Sequence, residues 1–271
     1  MARRSSRSRR AQSKGSNLHK FVVGGAAIIA VLVLFGSAFL RANAPTLDEE
    51  TLCSGAAPPR VTLILVDATD SLNAVQRASI SNQIDRLVGS LLEGERVELF
   101  AVSDKADLLT PLFEKCRPGD GSNANVAISN PEKIKENYQS AFVAPLQKAF
   151  NDLIVDESSN HTPLMRAIQA ASVKGFGRWP DTTDRRLIVV SDMLEYDAER
   201  SHYSPAGIEE TDFDTPSYSR LKTDLKGGQV ELWYIRRTTR SDVQGAKHIE
   251  FWQSYFAHLN GLVSRVFPVE G

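Results

Sequence analysis

The sequence predicts an α/β domain, a doubly wound and mostly parallel sheet with one antiparallel edge strand, preceded by one N-terminal transmembrane helix. Three observations carry this. First, two apolar runs, 61–66 (VTLILV) and 187–190 (LIVV), lack the alternation of a half-exposed strand and lead into carboxylates, Asp67 and Asp192. Central parallel strands buried on both faces read this way. Second, strand-like runs alternate with segments of helical spacing, which argues a sheet covered by helices on both faces. Third, residues 21–40 (FVVGGAAIIAVLVLFGSAFL) contain no charge at all.

The N-terminal elements set the topology. Residues 1–20 hold seven Lys/Arg and no acid, so of the 32 basic groups in the chain 25 remain beyond them, against 33 acidic. The formal charge of −1 therefore hides a basic tail and an acidic remainder. A basic tail can mark nucleic-acid binding, but here it abuts an apolar run that spans roughly 30 Å as a helix, the thickness of a bilayer core. A cleaved signal peptide is the rival. The run exceeds a usual signal core, and the one A-x-A-like site, Ala42-Asn43-Ala44, is followed by Pro45, so an uncleaved anchor is expected. The positive-inside rule keeps the tail cytoplasmic and puts the rest outside. The expected divisions are thus 1–20 tail, 21–40 anchor, 41–60 linker and 61–271 domain, in a bacterial inner membrane with the domain periplasmic.

The linker carries Cys53, and the only other cysteine is Cys116. Two cysteines in an oxidising compartment predict one disulfide between them.

Within the domain, strand 61–66 is followed by a helix whose apolar face is Ile80, Ile84, Leu87, Val88, Leu91 and Leu92, ended by Glu93-Gly94. Residues 96–103 read as a second strand and 108–116 as an edge strand, where Pro111 is tolerated. Residues 117–131 read as loop. Residues 132–155 have helical spacing, with a kink expected at Pro145. Thr162 reads as the N-cap of a helix with Pro163 at its first position. After strand 186–191 comes an acidic insert over 195–228. A strand at 230–235, a helix at 241–259 burying Phe251, Trp252, Tyr255, Phe256 and Leu259, and a strand at 262–269 complete the domain.

Ligands of open α/β sheets bind at the carboxyl ends of strands. There the first strand runs into Asp67-Ala68-Thr69-Asp70-Ser71, a carboxylate and two hydroxyls at spacing two. Hard divalent cations take such oxygens. The plainer alternative is that Ser71 or Asp70 caps the next helix and Asp67 accepts loop amides. Thr162 and Asp192 bring two further loops of oxygens to the same edge.

Together these motifs resemble the von Willebrand factor A family and its metal-ion-dependent adhesion site, over residues 61–269. The family pattern is D-x-S-x-S after the first strand, a Thr before a middle helix and an Asp after a later strand. The resemblance implies a non-catalytic module in which Asp67, Thr69, Ser71, Thr162 and Asp192 hold Mg²⁺ or a similar ion. A Glu or Asp of a protein partner would complete the ion's shell. This chain departs from the pattern in three places. Thr69 replaces the first Ser, His161 stands where a small Gly is usual, and Ser191-Asp192-Met193 replaces an Asp-Gly turn.

Two other readings stand beside it. A haloacid dehalogenase-like phosphotransferase would use Asp67 as nucleophile, Ser103 and Lys174 on the phosphate, and Asp192 and Asp197 on Mg²⁺. Thr69 then occupies the place of the acid that protonates the leaving group, which Thr cannot do. A metal-free scaffold of a membrane complex would bind through another face, such as the acidic insert 195–224, whose ordinary meaning is a solvated loop. The sequon Asn160-His161-Thr162 places any glycan on the proposed site, which favours a bacterial protein. No zinc spacing, phosphate loop or Ser-His-Asp signature occurs.

Overall fold

In a computed structural model the described residues are 22–25, 28–29, 31–36, 46–103, 109–126, 129–153, 161–181, 183–203, 205–209 and 212–271. The chain divides into two compact units, Met1–Thr46 and Leu47–Gly271. Of the expected anchor, the described residues 22–25, 28–29 and 31–36 are helical. Among the described residues no helix is long and apolar enough to cross a membrane. The remainder of that expected span, and the tail 1–20, lie outside the described residues.

Among the described residues six strands form one sheet in the order β3-β2-β1-β4-β5-β6. They are β1 (Arg60–Asp67), β2 (Arg96–Val102), β3 (Phe113–Cys116), β4 (Asp184–Ser191), β5 (Gln229–Ile235) and β6 (Leu262–Val269). All neighbours are parallel except β2 and β3. β1 is central because its apolar run buries both faces. Leu63 and Leu65 belong to one core, Ile64 and Val66 to the other. Helix α1 (Ala74–Ser90) covers the second core through Ile80, Ile84, Leu87 and Val88.

The predicted helix over 132–155 is three pieces: α2 (Pro131–Tyr138), a π-helical stretch (Gln139–Val143) and α3 (Ala144–Leu153). Proline lacks the amide that an uninterrupted helix needs. The wider stretch ends at Val143, two residues before Pro145, with the Ala144 N–H reaching the Gln139 carbonyl. The stretch aims Phe142 into the second core, beside Leu146 and Phe150 of α3.

The first core is closed by α4 (Leu164–Phe176) and α6 (Ala246–His258), with the short helix α5 (Pro216–Ser219) between them in sequence. α4 lies so close to β1 that a Cβ on Gly175 would sit 2.4 Å from a Leu63 methyl. The predicted helix over 241–259 starts later, at Ala246, and buries the expected aromatic set. The predicted edge strand 108–116 shortens to Phe113–Cys116.

The Cys53–Cys116 disulfide is present, with Cα atoms 4.9 Å apart. The expected linker is therefore not all linker. From Leu47 on it belongs to the folded unit, and the Cys116 N–H donates to the Thr51 carbonyl (2.8 Å).

Candidate functional site

Parallel pairing of β1 with β2 and β4 puts the ends of β1 and β4 side by side. The Asp67 carboxylate is buried at that edge. One of its oxygens accepts from the Thr69 amide (3.0 Å) and hydroxyl (2.6 Å), the other from the Ser191 hydroxyl (2.7 Å). The Thr69 and Thr162 hydroxyls share a hydrogen bond of 2.8 Å across 93 residues of sequence. Three of the five sequence-predicted ligand residues thus form one buried chain of oxygens.

Thr162 is not the N-cap of the helix that follows. An antiparallel bridge to Tyr196 fixes its backbone, with N–H to carbonyl distances of 2.8 and 3.0 Å. Its hydroxyl is thereby free for Thr69, and Leu164 begins the helix one residue later than predicted. The capping role passes to Glu195, whose buried carboxylate accepts from the Met165 amide at 2.9 Å. Likewise neither Ser71 nor Asp70 caps α1. Asn73 does, in a capping box with Gln76, which leaves the 67–71 loop to other uses.

Asp192 lies beside this chain of oxygens and is only 2% exposed. One of its oxygens accepts from the Leu194 amide (3.0 Å), the other from Arg237 Nε (3.0 Å). Arg237 Nη1 also donates to the Ser71 carbonyl (2.8 Å), and Nη2 lies 3.8 Å from Asp70. Ser71 is exposed and lines a cleft of about 290 Å³ with Asp70, Asp192, Tyr203, Arg237 and Arg240. The guanidinium of Arg240 lies over the Tyr203 ring (4.6 Å).

The electrostatics are those of a crowded anionic site. Burial raises the Asp67 carboxyl, and its hydrogen bonds from Thr69 and Ser191 only partly oppose this. Asp192 is pushed up to about 7, first by burial and then by repulsion from Asp67, against the pull of Arg237. Burial is the first cause of both shifts, and like charge adds to it, from Asp70 at Asp67 and from Asp67 at Asp192.

Sequence reasoning missed Ser191, Arg237 and Gln244. Gln244 clamps the site from behind, its amide donating to the Asp192 and Ile235 carbonyls and its oxygen accepting from the Arg237 amide. The legible signal was Arg236-Arg237 at the carboxyl end of β5, where a charged side chain can reach the neighbouring loops.

Among the described residues no three His, Cys, Asp or Glu side chains gather as a metal site. The set here is of another kind, two carboxylates and three hydroxyl-bearing residues, oxygen donors that suit a hard cation. A cationic group, Arg237, already rests on Asp192. On donor chemistry the residues fit such an ion.

The phosphotransferase set does not assemble in the same way. Lys174 stands roughly three turns along α4 from its start and donates to the Leu109 carbonyl at 2.7 Å. Asp197 is ion-paired with Arg200. His161 stacks on Tyr196, and Asn160 of the sequon lies outside the described residues. Within the acidic insert Glu195 is wholly buried, whereas Glu199, Glu209, Asp212 and Asp214 are exposed, as in a solvated loop.

A central β1 flanked by parallel β2 and β4, one antiparallel edge at β3, and oxygens from three loops at the carboxyl edge decide the architecture. It is the doubly wound sheet that the resemblance to the von Willebrand factor A family implies. No family model matches the chain, and a search of curated proteins finds no match to it. Among solved structures, the SpRpn10 VWA domain is similar at 10% identity and TM-score 0.44, over 78% of this chain and 88% of that one. The pilus adhesin SpaC from Lactobacillus rhamnosus GG is similar at 10% identity and TM-score 0.44, over 81% of this chain and 28% of the adhesin. Proximal thread matrix protein 1 of the mussel byssus follows at 14% identity and TM-score 0.35, over 67% and 39%.

Proposed function

We propose that this chain is a membrane-tethered, non-catalytic module that binds a protein partner at the carboxyl edge of its sheet, with a hard divalent cation such as Mg²⁺. The observation that carries the reading is the hydrogen-bonded convergence of Asp67, Thr69 and Thr162 from two loops, with Asp192 of a third beside them. In this reading Thr69, Ser71 and Thr162 offer hydroxyl oxygens, and Asp67 and Asp192 hold the ion directly or through water. When bound, such an ion supplies a positive charge whose unfilled positions a partner's Asp or Glu can occupy. Asn73 caps α1 at the same edge, and the positive end of that helix also favours an arriving anion.

The anchor rests on the uncharged run 21–40 behind seven basic residues. The Cys53–Cys116 bridge supports an oxidising, extracytoplasmic location for the domain. Inner-membrane placement and a periplasmic domain belong to the same proposal.

The test is calorimetric titration of the full chain in detergent with Mg²⁺. Saturable binding that Asp67→Ala and Thr162→Ala each abolish is the expected result. A wild-type chain with no Mg²⁺ affinity would remove the ion from the reading and leave a metal-free scaffold.

A further inference from the structure

Arg237 is the residue at this edge that the adhesion-site pattern does not account for. It follows β5 by two positions and is held from behind, its amide donating to Gln244 Oε1 at 2.6 Å. The same Gln244 side chain grips the Asp192 carbonyl. Arginine and aspartate are therefore set against each other by one shared clamp, independent of the guanidinium. The guanidinium itself then reaches across the mouth of the site to Asp192, to the Ser71 carbonyl and towards Asp70.

Both Asp192 oxygens are engaged, one by the Leu194 amide in its own loop and the other by Arg237. A divalent ion drawing on the second oxygen shares it with the arginine, and two cationic groups crowded onto one carboxylate oxygen repel each other, which weakens the ion's hold. Arg237 is able to leave. Its side chain is 20% exposed and borders the open cleft, so it withdraws into water without disturbing either core.

Resting on the metal-ion reading above, we infer that Arg237 is a tethered cation that competes with the divalent ion for Asp192 and so sets the ion affinity of the site. A merely structural arginine would tie the 67–71 loop to Asp192, and its loss would loosen the edge without improving ion binding. A competitor makes the opposite demand: its loss strengthens ion binding.

The two are separated by titrating Mg²⁺, and Mn²⁺ as a paramagnetic probe, into full-length wild type, Arg237→Met and Arg237→Lys in detergent. Methionine keeps the apolar stem and removes the charge. Arg237→Met is expected to bind either ion about tenfold more tightly, the scale of one charge-assisted hydrogen bond released from competition. Arg237→Lys, which keeps a charge but not the fork that reaches Asp192 and Ser71 together, should fall between. Adding Asp192→Asn to Arg237→Met should cancel the gain. Equal ion affinity in wild type and Arg237→Met would overturn the inference and leave the metal-ion reading standing. No binding by any of these proteins would overturn both. Weaker binding by Arg237→Met with a lowered melting temperature would assign the arginine a structural role instead.

Discussion

The two ends of the sheet treat buried carboxylates in opposite ways. At the amino ends of the strands, Glu95 accepts from Arg60 (2.5 Å), Arg186 (2.9 Å) and the Thr62 hydroxyl (2.6 Å). Glu98 accepts from Arg96 (2.6 Å) and Arg178 (2.5 Å). Burial pushes Glu95 up, but Arg60, Thr62, the Leu92 amide and Arg186 outweigh it and hold it below its ordinary value. At the carboxyl ends, Asp67 and Asp192 are both raised, first by burial, and the Arg237 guanidinium on Asp192 does not offset this. Exposure is nearly the same at the two ends, so burial alone does not decide the direction of the shift. The supply of compensating charge does. The amino edge matches its acids with arginines, although Glu98 Oε2 has no partner, whereas the carboxyl edge keeps the excess negative charge that the proposed cation would offset.

Breaking the paired end should have the largest effect. Glu95→Ala strands Arg186 and Thr62 in the sheet without their acceptor. Losing one partner of a buried pair costs about 3–5 kcal/mol, so chemical denaturation should show a fall in stability of that size. A fall below about 1 kcal/mol, typical of exposed pairs, would equate the two ends.

An intermediate effect is expected at Glu195, three residues from Asp192. Burial pushes its carboxyl up to about 8 from an ordinary 4.5. The folded protein therefore holds this proton more tightly than the unfolded chain does. The resulting stability is fully present below about 4.5 and is lost as pH rises through about 8. Glu95 acts with the opposite sign, stabilising above its ordinary value and losing that contribution as pH falls. Glu195→Gln keeps an oxygen for the Met165 amide and cannot ionise. It should be more stable than wild type by on the order of 5 kcal/mol at pH 9 and nearly equal at pH 4. Parallel wild-type and variant melting curves across that range would refute the assignment.

The smallest effect sharpens the comparison most. Asp67→Asn retains an oxygen for Thr69 and removes the repulsion on Asp192. In the absence of divalent ions its stability should lie within about 1 kcal/mol of wild type, on the stable side. A loss as large as that of Glu95→Ala would mean that Asp67 belongs to the scaffold.

The strands and the D-x-T-x-S loop were legible because their signals are local. An unbroken apolar run requires burial on both faces wherever the chain puts it. A carboxylate at the end of such a run necessarily lies on the sheet's carboxyl edge. The cysteine pair was legible by elimination, there being only two. The helix over 132–155 was legible in its spacing but not in its π-helical stretch, because accommodating Pro145 depends on where Phe142 must point.

What the sequence by itself determined is the order of elements and which oxygens arrive at the edge, since periodicity and strand ends need only neighbouring residues. The tertiary structure alone decided how those oxygens are used. Thr162 points at Thr69 because Tyr196 pairs with its backbone, Glu195 caps a helix thirty residues upstream, and Arg237 crosses to a carboxylate forty-five residues before it. Each of these depends on charges and hydrogen-bond groups brought together across the sheet, and a side chain's distant partners leave no periodicity in the chain for a reader to find.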